Sequence, residues 1–351
     1  MPVREARFYE KLEGGLVRCT ICPRRCVIKP GERGFCGTRE NRGGTLYSLI
    51  YGEVSASAVD PIEKKPLFHF EPGSLTFSIS SVGCSFKCPW CQNYHISQVK
   101  PEDYRTVRME PEEVVRLAEK YGCPSISITY NEPIIWLEYV EDVAKLAKAR
   151  GLEVVLVTNG YISLEALDAV AGLIDAANVD IKAFTEDFYR RYCKGSLGDV
   201  LQATVAMKEK GIHVETTNLI IPGLNDDEEE IRALCKWHYE NLGPDTPLHI
   251  SRFFPCYKMA YKEPTPISKL RRAREIALEE GLKYVYVGNL PGNPGEHTYC
   301  PNCHEVLIKR YGFEISEWKL DEQMRCPHCG TRIPIRGKFH RRGGWFPLLI
   351  Y

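Results

Sequence analysis

Cysteine is the residue of this chain most able to do chemistry: fifteen occur in 351 residues, and eleven of them fall into three clusters. The clusters are Cys19, Cys22, Cys26 and Cys36; then Cys84, Cys88 and Cys91; then Cys300, Cys303, Cys326 and Cys329. The opening MPVREARFYEKLEGG carries charges throughout and has no apolar core of a signal peptide. No later stretch approaches the ~20 apolar residues of a membrane-spanning helix. A soluble cytoplasmic protein is expected, and in that compartment disulfides are uncommon, so the clustering points to metal binding. Cys123, Cys193, Cys235 and Cys256 stand alone and read as small buried hydrophobes, with Cys256 in a loop past a strand.

The central segment SVGCSFKCPWCQNYHIS has spacings of four and three residues, which can wrap a tight loop around one [4Fe-4S] cubane held by thiolates. Three thiolates for four irons leave one iron open. That iron can chelate the amino and carboxylate groups of a methionine moiety, place its sulfonium beside the cluster and deliver the electron that breaks the S–C5′ bond. The competing reading is structural zinc, which takes four ligands and would need His95 as the fourth.

The flanking clusters carry a full ligand set each. RCTICPRRCVIKPGERGFCG can close one site with four thiolates, zinc or an auxiliary [4Fe-4S] cluster, and spacing does not decide between them. CPNC and CPHC, separated by the hairpin-like VLIKRYGFEISEWKL, match a two-knuckle zinc ribbon, whose metal would supply folding energy that so short a module lacks. His297, His304 and His328 lie close by, but four cysteines already suffice.

The elements that must position the triplet are legible between residues 75 and 290, where the apolar period alternates between that of a strand and that of a helix. Strands are expected at LTFSIS (75–80), SISIT (125–129), EVVLVT (153–158), ANVDIK (177–182), HVETTNLII (213–221), LHISRF (248–253) and YVYVG (284–288). Pro111 opens one helix, Ser163 and Asp226–Asp227 precede two others, and Gly122, Gly151, Gly211 and Gly281 close helices. Nearly continuous apolar strands separated by helices indicate a parallel sheet with both faces covered. The expected fold is α/β, a partial (β/α)6-type TIM barrel of about six units plus an extra strand, over residues 75–292. A four-cysteine N-terminal module (1–74) and a zinc-ribbon-like C-terminal module (293–351) flank it. Catalysis in such a fold belongs at the C-terminal strand ends, where Asn131, Glu132, Thr158, Asn159, Asp180, Lys182, Thr217, Asn218 and Arg252 fall.

The Cys-x3-Cys-x-aromatic-Cys loop, with Trp90 at the aromatic position, resembles the signature of the radical S-adenosylmethionine (SAM) superfamily. Thr129-Tyr130-Asn131-Glu132-Pro133 resembles its Gly-Gly-Glu-Pro motif with both glycines replaced, so Glu132 and Pro133 carry over. Thr158-Asn159-Gly160 and Asp180-x-Lys182 resemble SAM-contacting motifs of the pyruvate formate-lyase activating enzymes. Along its full length the chain is similar to the AmmeMemoRadiSam-system radical SAM enzymes, through CTICPRRC, DPIEKKPLFHF, the triplet, TYNEP, VDIKAF, IIPGLND, SRFFP, VYVGNLPG and the CPNC/CPHC tail. The resemblance implies a catalytic [4Fe-4S] cluster on Cys84, Cys88 and Cys91. It also implies SAM contacts from Trp90, Asn131, Glu132, Thr158, Asn159, Asp180, Lys182, Asn218 and Arg252. A 5′-deoxyadenosyl radical would then abstract hydrogen from an unidentified substrate, a protein or peptide by kinship. It further implies Memo-type and AMMECR-type partner proteins and an electron donor such as ferredoxin or flavodoxin.

Lys+Arg and Asp+Glu are both 46, and this balance disfavours nucleic acid and anionic membranes as partners. It therefore counts against tRNA modification, one alternative function. The other is a metal-bound scaffold without catalysis. DPIEKKPLFHF stays open between an active-site lining, through Lys64, Lys65 and His69, and a charged surface turn.

Overall fold

The computed structural model describes residues 3–341 and 348–349. At its centre lies a sheet of strands β1 (Ala56–Pro61), β2 (Leu75–Ser80), β3 (Ser125–Ile128), β4 (Glu153–Thr158), β5 (Ala176–Asp180), β6 (His213–Ile220), β7 (Leu248–Arg252) and β8 (Val285–Gly288). From β2 to β8 the strands run parallel, and each bonds its neighbour in sequence. Helices α1 (Pro111–Lys120), α2 (Leu137–Ala149), α3 (Leu164–Val170), α4 (Leu197–Glu209), α5 (Glu228–Leu242) and α6 (Ile267–Glu279) each follow one strand, which makes six strand–helix units and a seventh strand. The sheet is open among the described residues: β8 ends it on one side, while β1 pairs antiparallel with β2 and continues to Leu348–Leu349 on the other.

Both faces of these strands are covered, as their apolar runs require; Ser125–Ile128 is buried throughout. The helix starts follow the capping residues read from the sequence. Ser163 Oγ accepts from Ala166 N, and Asp227 accepts from Glu229 N and Glu230 N.

The segment 62–70 is neither of the alternatives read from the sequence. It is buried against the N-terminal halves of β4, β5 and β6, and its Lys65 reaches the ring of Tyr130. Ile62, Leu67 and Phe70 pack with Val155 and Ala176, and the Phe68 and His69 amides donate to Glu215 of β6 at 3.0 and 2.7 Å. His249 Nε2 lies 2.7 Å from the same carboxylate, and His69 Nε2 lies 2.6 Å from Tyr286 Oη. Lys65, fully buried, pairs with Asp60 at 2.6 Å. Charge in this segment is thus consumed internally, which pattern reading could not show.

Ahead of β1, two small antiparallel sheets carry the first cysteine cluster. They dock on α2 through the buried Arg39–Glu138 ion pair (2.6 Å), with Trp136 Nε1 donating to Ile50 O and the Tyr51 hydroxyl to Asp142. At the other end, strands Val306–Tyr311 and Glu314–Trp318 form the expected hairpin, turned at Gly312 (φ 58°). No helix among the described residues is long and apolar enough to cross a membrane.

Candidate active site

Cys84, Cys88 and Cys91 lie on the loop that leaves β2, at the C-terminal edge of the sheet. Two devices hold this loop. Asn131 takes the Ser81 amide at 3.1 Å and donates to Gly83 O at 3.2 Å, while Asn93 Nδ2 donates to Tyr130 O at 2.7 Å. Cys84 and Cys91 each face the other two thiols closely enough to perturb or be perturbed by them, so the three converge. Cys84 Sγ accepts from Phe86 N at 3.4 Å and Asn159 Nδ2 at 3.8 Å, and Ser97 Oγ lies 3.1 Å from Cys91 Sγ. Such donors are those that tune an iron–sulfur cluster.

The donor set fits a polynuclear cluster better than one ion. Among the described residues, the one group of three or more potential ligand atoms drawn within 4.8 Å of one another is Cys300, Cys303, Cys326 and Cys329. The central sulfurs are therefore spread more widely than the ~3.8 Å that tetrahedral Zn–S bonds of ~2.3 Å impose. Burial pushes the Cys84 thiol well above its ordinary value, and hydrogen bonding to Cys193 with burial does the same for Cys88. Thiols so placed become thiolates when a metal offsets the desolvation. His95 is exposed, its ring against Tyr94, and does not turn inward as a fourth ligand.

Around the triplet stand rim residues from three successive strands. Glu132, buried at the end of β3, accepts from the Thr158 hydroxyl (2.6 Å), Asn159 N (2.8 Å) and Ile134 N (3.1 Å). Burial lifts its carboxyl to about 7, against these bonds and the charge of Lys182, which pull it down. Lys182, past β5, pairs with Asp180 at 2.7 Å and faces both Cys88 and Cys91. Burial opposes its charge, but Asp180 and Cys88 outweigh this and raise its pKa. A point cation beside the thiols and a carboxylate two strands away are the two charges a zwitterionic amino-acid moiety needs.

The other sequence candidates have structural partners. Asn218 donates to Ile181 O at 2.8 Å and so fixes the backbone between Asp180 and Lys182. Asn131 is spent on the β2 loop, as above. Trp90 is buried against Phe188 and Tyr192, with ring centroids 5.2 and 6.4 Å away. Arg252 donates to Thr265 O at 2.9 Å and lies over the Phe254 ring. Sequence reading set aside two thiols that belong here: Cys193, against Cys88, and Cys256, whose Sγ approaches Cys91 O at 3.6 Å. No spacing signal could have found them, because the fold alone returns residues 193 and 256 to this loop.

Tyr130 replaces a glycine of the motif that TYNEP resembles yet keeps a glycine-like φ of 68°. A left-handed conformation costs an L-residue about 1–2 kcal/mol. Its hydroxyl bond to Asp60 and the Asn93 bond to its carbonyl hold it there.

Residues 78–236, which span β2 to α5, match the family model for the Radical SAM superfamily. An uncharacterized protein of Methanocaldococcus jannaschii is 50% identical over 334 residues, 95% of this chain and 99% of that protein. Another M. jannaschii protein, named for glycyl-radical enzyme activation, is 26% identical over 211 residues, 58% of this chain and 76% of that protein. The crystal structure of Streptococcus suis SuiB bound to S-adenosylmethionine aligns with 62% of this chain and 52% of its own at 15% identity, with a TM-score of 0.48. The family match falls on the strands that carry the triplet, Glu132 and Lys182, so this part of the chain is a radical SAM superfamily domain.

Proposed function

We propose that the chain is a radical SAM enzyme whose cluster is held by Cys84, Cys88 and Cys91, and that it acts on a protein or peptide substrate in the manner of activating enzymes. The observation that carries this is the meeting of three thiols with a buried carboxylate and a lysine on one rim of the sheet. When bound, the cluster and SAM supply a 5′-deoxyadenosyl radical that abstracts hydrogen. The chain's own residues do the positioning. Lys182 attracts the carboxylate of the methionine moiety, and Glu132, once ionised, attracts its ammonium. The Thr158 hydroxyl and Asn159 amide keep the Glu132 carboxylate oriented.

The full-length resemblance supports AmmeMemoRadiSam-system membership, Memo-type and AMMECR-type partners, a ferredoxin or flavodoxin as electron donor, and a cytoplasmic setting. The C-terminal quartet supports zinc: Cys300 and Cys329 sulfurs stand 3.4 Å apart and Cys303 and Cys326 sulfurs 3.6 Å, close to mononuclear tetrahedral spacing. Anaerobic reconstitution followed by dithionite and SAM tests the reading. It yields 5′-deoxyadenosine if the proposal holds; a cluster-loaded preparation that yields none sinks it.

A further inference from the structure

The sulfurs of the N-terminal quartet are spread more widely than those of a mononuclear site. Cys19, Cys22, Cys26 and Cys36 line one pocket that Arg24, Arg39, Phe35, Ser85 and Ile135 complete. Their sulfurs are not gathered as those of the C-terminal quartet are: among the described residues only the latter lie within 4.8 Å of one another. One chain thus holds both geometries, a closed mononuclear one and an open one.

Two arginines line the open one with donors that lack acceptors. Arg39 is 1% exposed; one terminal nitrogen pairs with Glu138, but its Nε and Nη1 are buried with no partner among the described residues. Arg24 Nε is likewise buried and unpartnered. Unmade bonds from a buried guanidinium are expensive, at least the ~1–3 kcal/mol of a neutral donor, so an anionic acceptor belongs in this pocket. A zinc tetrathiolate offers the cysteine sulfurs alone. An iron–sulfur cubane takes its ligand sulfurs at wider separations and adds inorganic sulfides as acceptors.

We propose that Cys19, Cys22, Cys26 and Cys36 hold a second [4Fe-4S] cluster, with Arg39 and Arg24 donating hydrogen bonds to its sulfurs. Four protein ligands leave it no open iron, so it takes no SAM. It stands next to the central loop. Ser85, which lines the pocket, accepts from Asn159 at 3.0 Å, and a Cβ on Gly83 would lie 3.0 Å from Cys36 O.

The test uses the full chain with Cys84, Cys88 and Cys91 all changed to Ala, reconstituted anaerobically and assayed for iron, sulfide and zinc. The variant is expected to keep about four iron and four sulfide per chain, with a reduced-cluster electron paramagnetic resonance signal. Adding Cys22→Ala and Cys26→Ala should remove both iron and signal. A triple variant that folds with zinc in place of iron overturns the proposal. Wild-type protein gives a check that needs no variant: after dithionite reduction, SAM shifts one cluster signal and leaves a second unmoved. A single signal that shifts in full overturns the proposal as well. Neither result depends on turnover, so the active-site reading and this one can fail separately.

Discussion

Changing Glu132 to Gln preserves shape and removes charge, and the structure fixes what must follow. One carboxylate oxygen accepts from the Thr158 hydroxyl and Ile134 N, the other from Asn159 N. Gln offers one acceptor oxygen. Whichever way its amide turns, the NH2 group meets a backbone N–H that cannot reverse, and one buried donor is left unmade, at about 1–3 kcal/mol of stability. If the carboxylate also meets the SAM ammonium, the lost charge-assisted bond is worth about 1.5–3 kcal/mol, or roughly 10- to 100-fold in Kd at pH 8. The sign of the pH dependence follows from burial, which lifts this carboxyl from 4.5 to about 7. Below that value the group is neutral and attracts no cation. Wild-type affinity should therefore weaken about tenfold between pH 8 and pH 6, while the Gln variant stays flat and the two converge in acid. Calorimetric titration of SAM into reconstituted protein at pH 6, 7 and 8 measures this. Parallel pH profiles, or a variant that binds as tightly as wild type at pH 8, would refute the assignment and leave Glu132 a structural acceptor.

Four further substitutions test the site and its surroundings. Cys88→Ala should abolish the central cluster and 5′-deoxyadenosine formation, whereas Cys193→Ala should keep both; central iron lost from the Cys193 variant would mean a fourth protein ligand and an end to the open-iron scheme. Gly83→Ala places a Cβ 2.5 Å from Thr38 Cγ2 and 3.0 Å from Cys36 O at φ +87°. Backbone strain and overpacking together should cost about 2–5 kcal/mol, read as a lower thermal midpoint and less iron in both iron sites. His238, buried beside Thr216 Oγ1, has its imidazole pushed from 6.5 to about 3 by burial, helped by the charge of Lys208. The unfolded chain binds the extra proton, so this residue removes about 2 kcal/mol of stability between pH 7 and pH 5. Urea unfolding should show the gap between wild type and His238→Leu narrowing by that amount, and a gap independent of pH contradicts the assignment.

Much of the sheet was legible because its strands are buried on both faces and must therefore be apolar nearly throughout. Leu75–Ser80 and Glu153–Thr158 coincide with the expected runs. ANVDIK overshoots, since β5 ends at Asp180 even though the Ile181 amide still bonds Thr217 O at 2.9 Å. Pattern reading extends a strand while residues stay apolar; the ladder stops where the backbone turns toward the site. Segment 62–70 defeated the reading for another reason. Lys65, His69 and Glu63 look like surface residues one by one, and burial is offset by partners that a pattern does not reveal: Asp60 for Lys65, the Gly73 amide for Glu63, Glu215 for the Phe68 and His69 amides and Tyr286 for the His69 ring.

The candidate site divides along the same line. Covalent spacing puts Cys84, Cys88 and Cys91 on one loop, and strand periodicity puts Glu132, Thr158 and Lys182 on one rim, so these could be named from order along the chain. Residues that reach the loop from elsewhere could not: Cys193 arrives through the turn after Phe188 and Cys256 through the loop after β7. Tyr130 shows why a motif departure need not be a loss. The position demands a left-handed backbone because the chain must turn there to present Glu132, and glycine meets the demand without strain. Here the demand is met by anchoring instead. The Tyr130 ring lies 4.5 Å from Lys65 Nζ and its hydroxyl bonds Asp60, so the turn draws on that buried ion pair. The rim geometry of this chain is thus tied to the segment 62–70. Tyr130→Gly should relieve backbone strain yet loosen that tie, so SAM affinity is expected to fall even though the variant restores the residue the motif prefers; unchanged affinity would show that the turn needs only its φ.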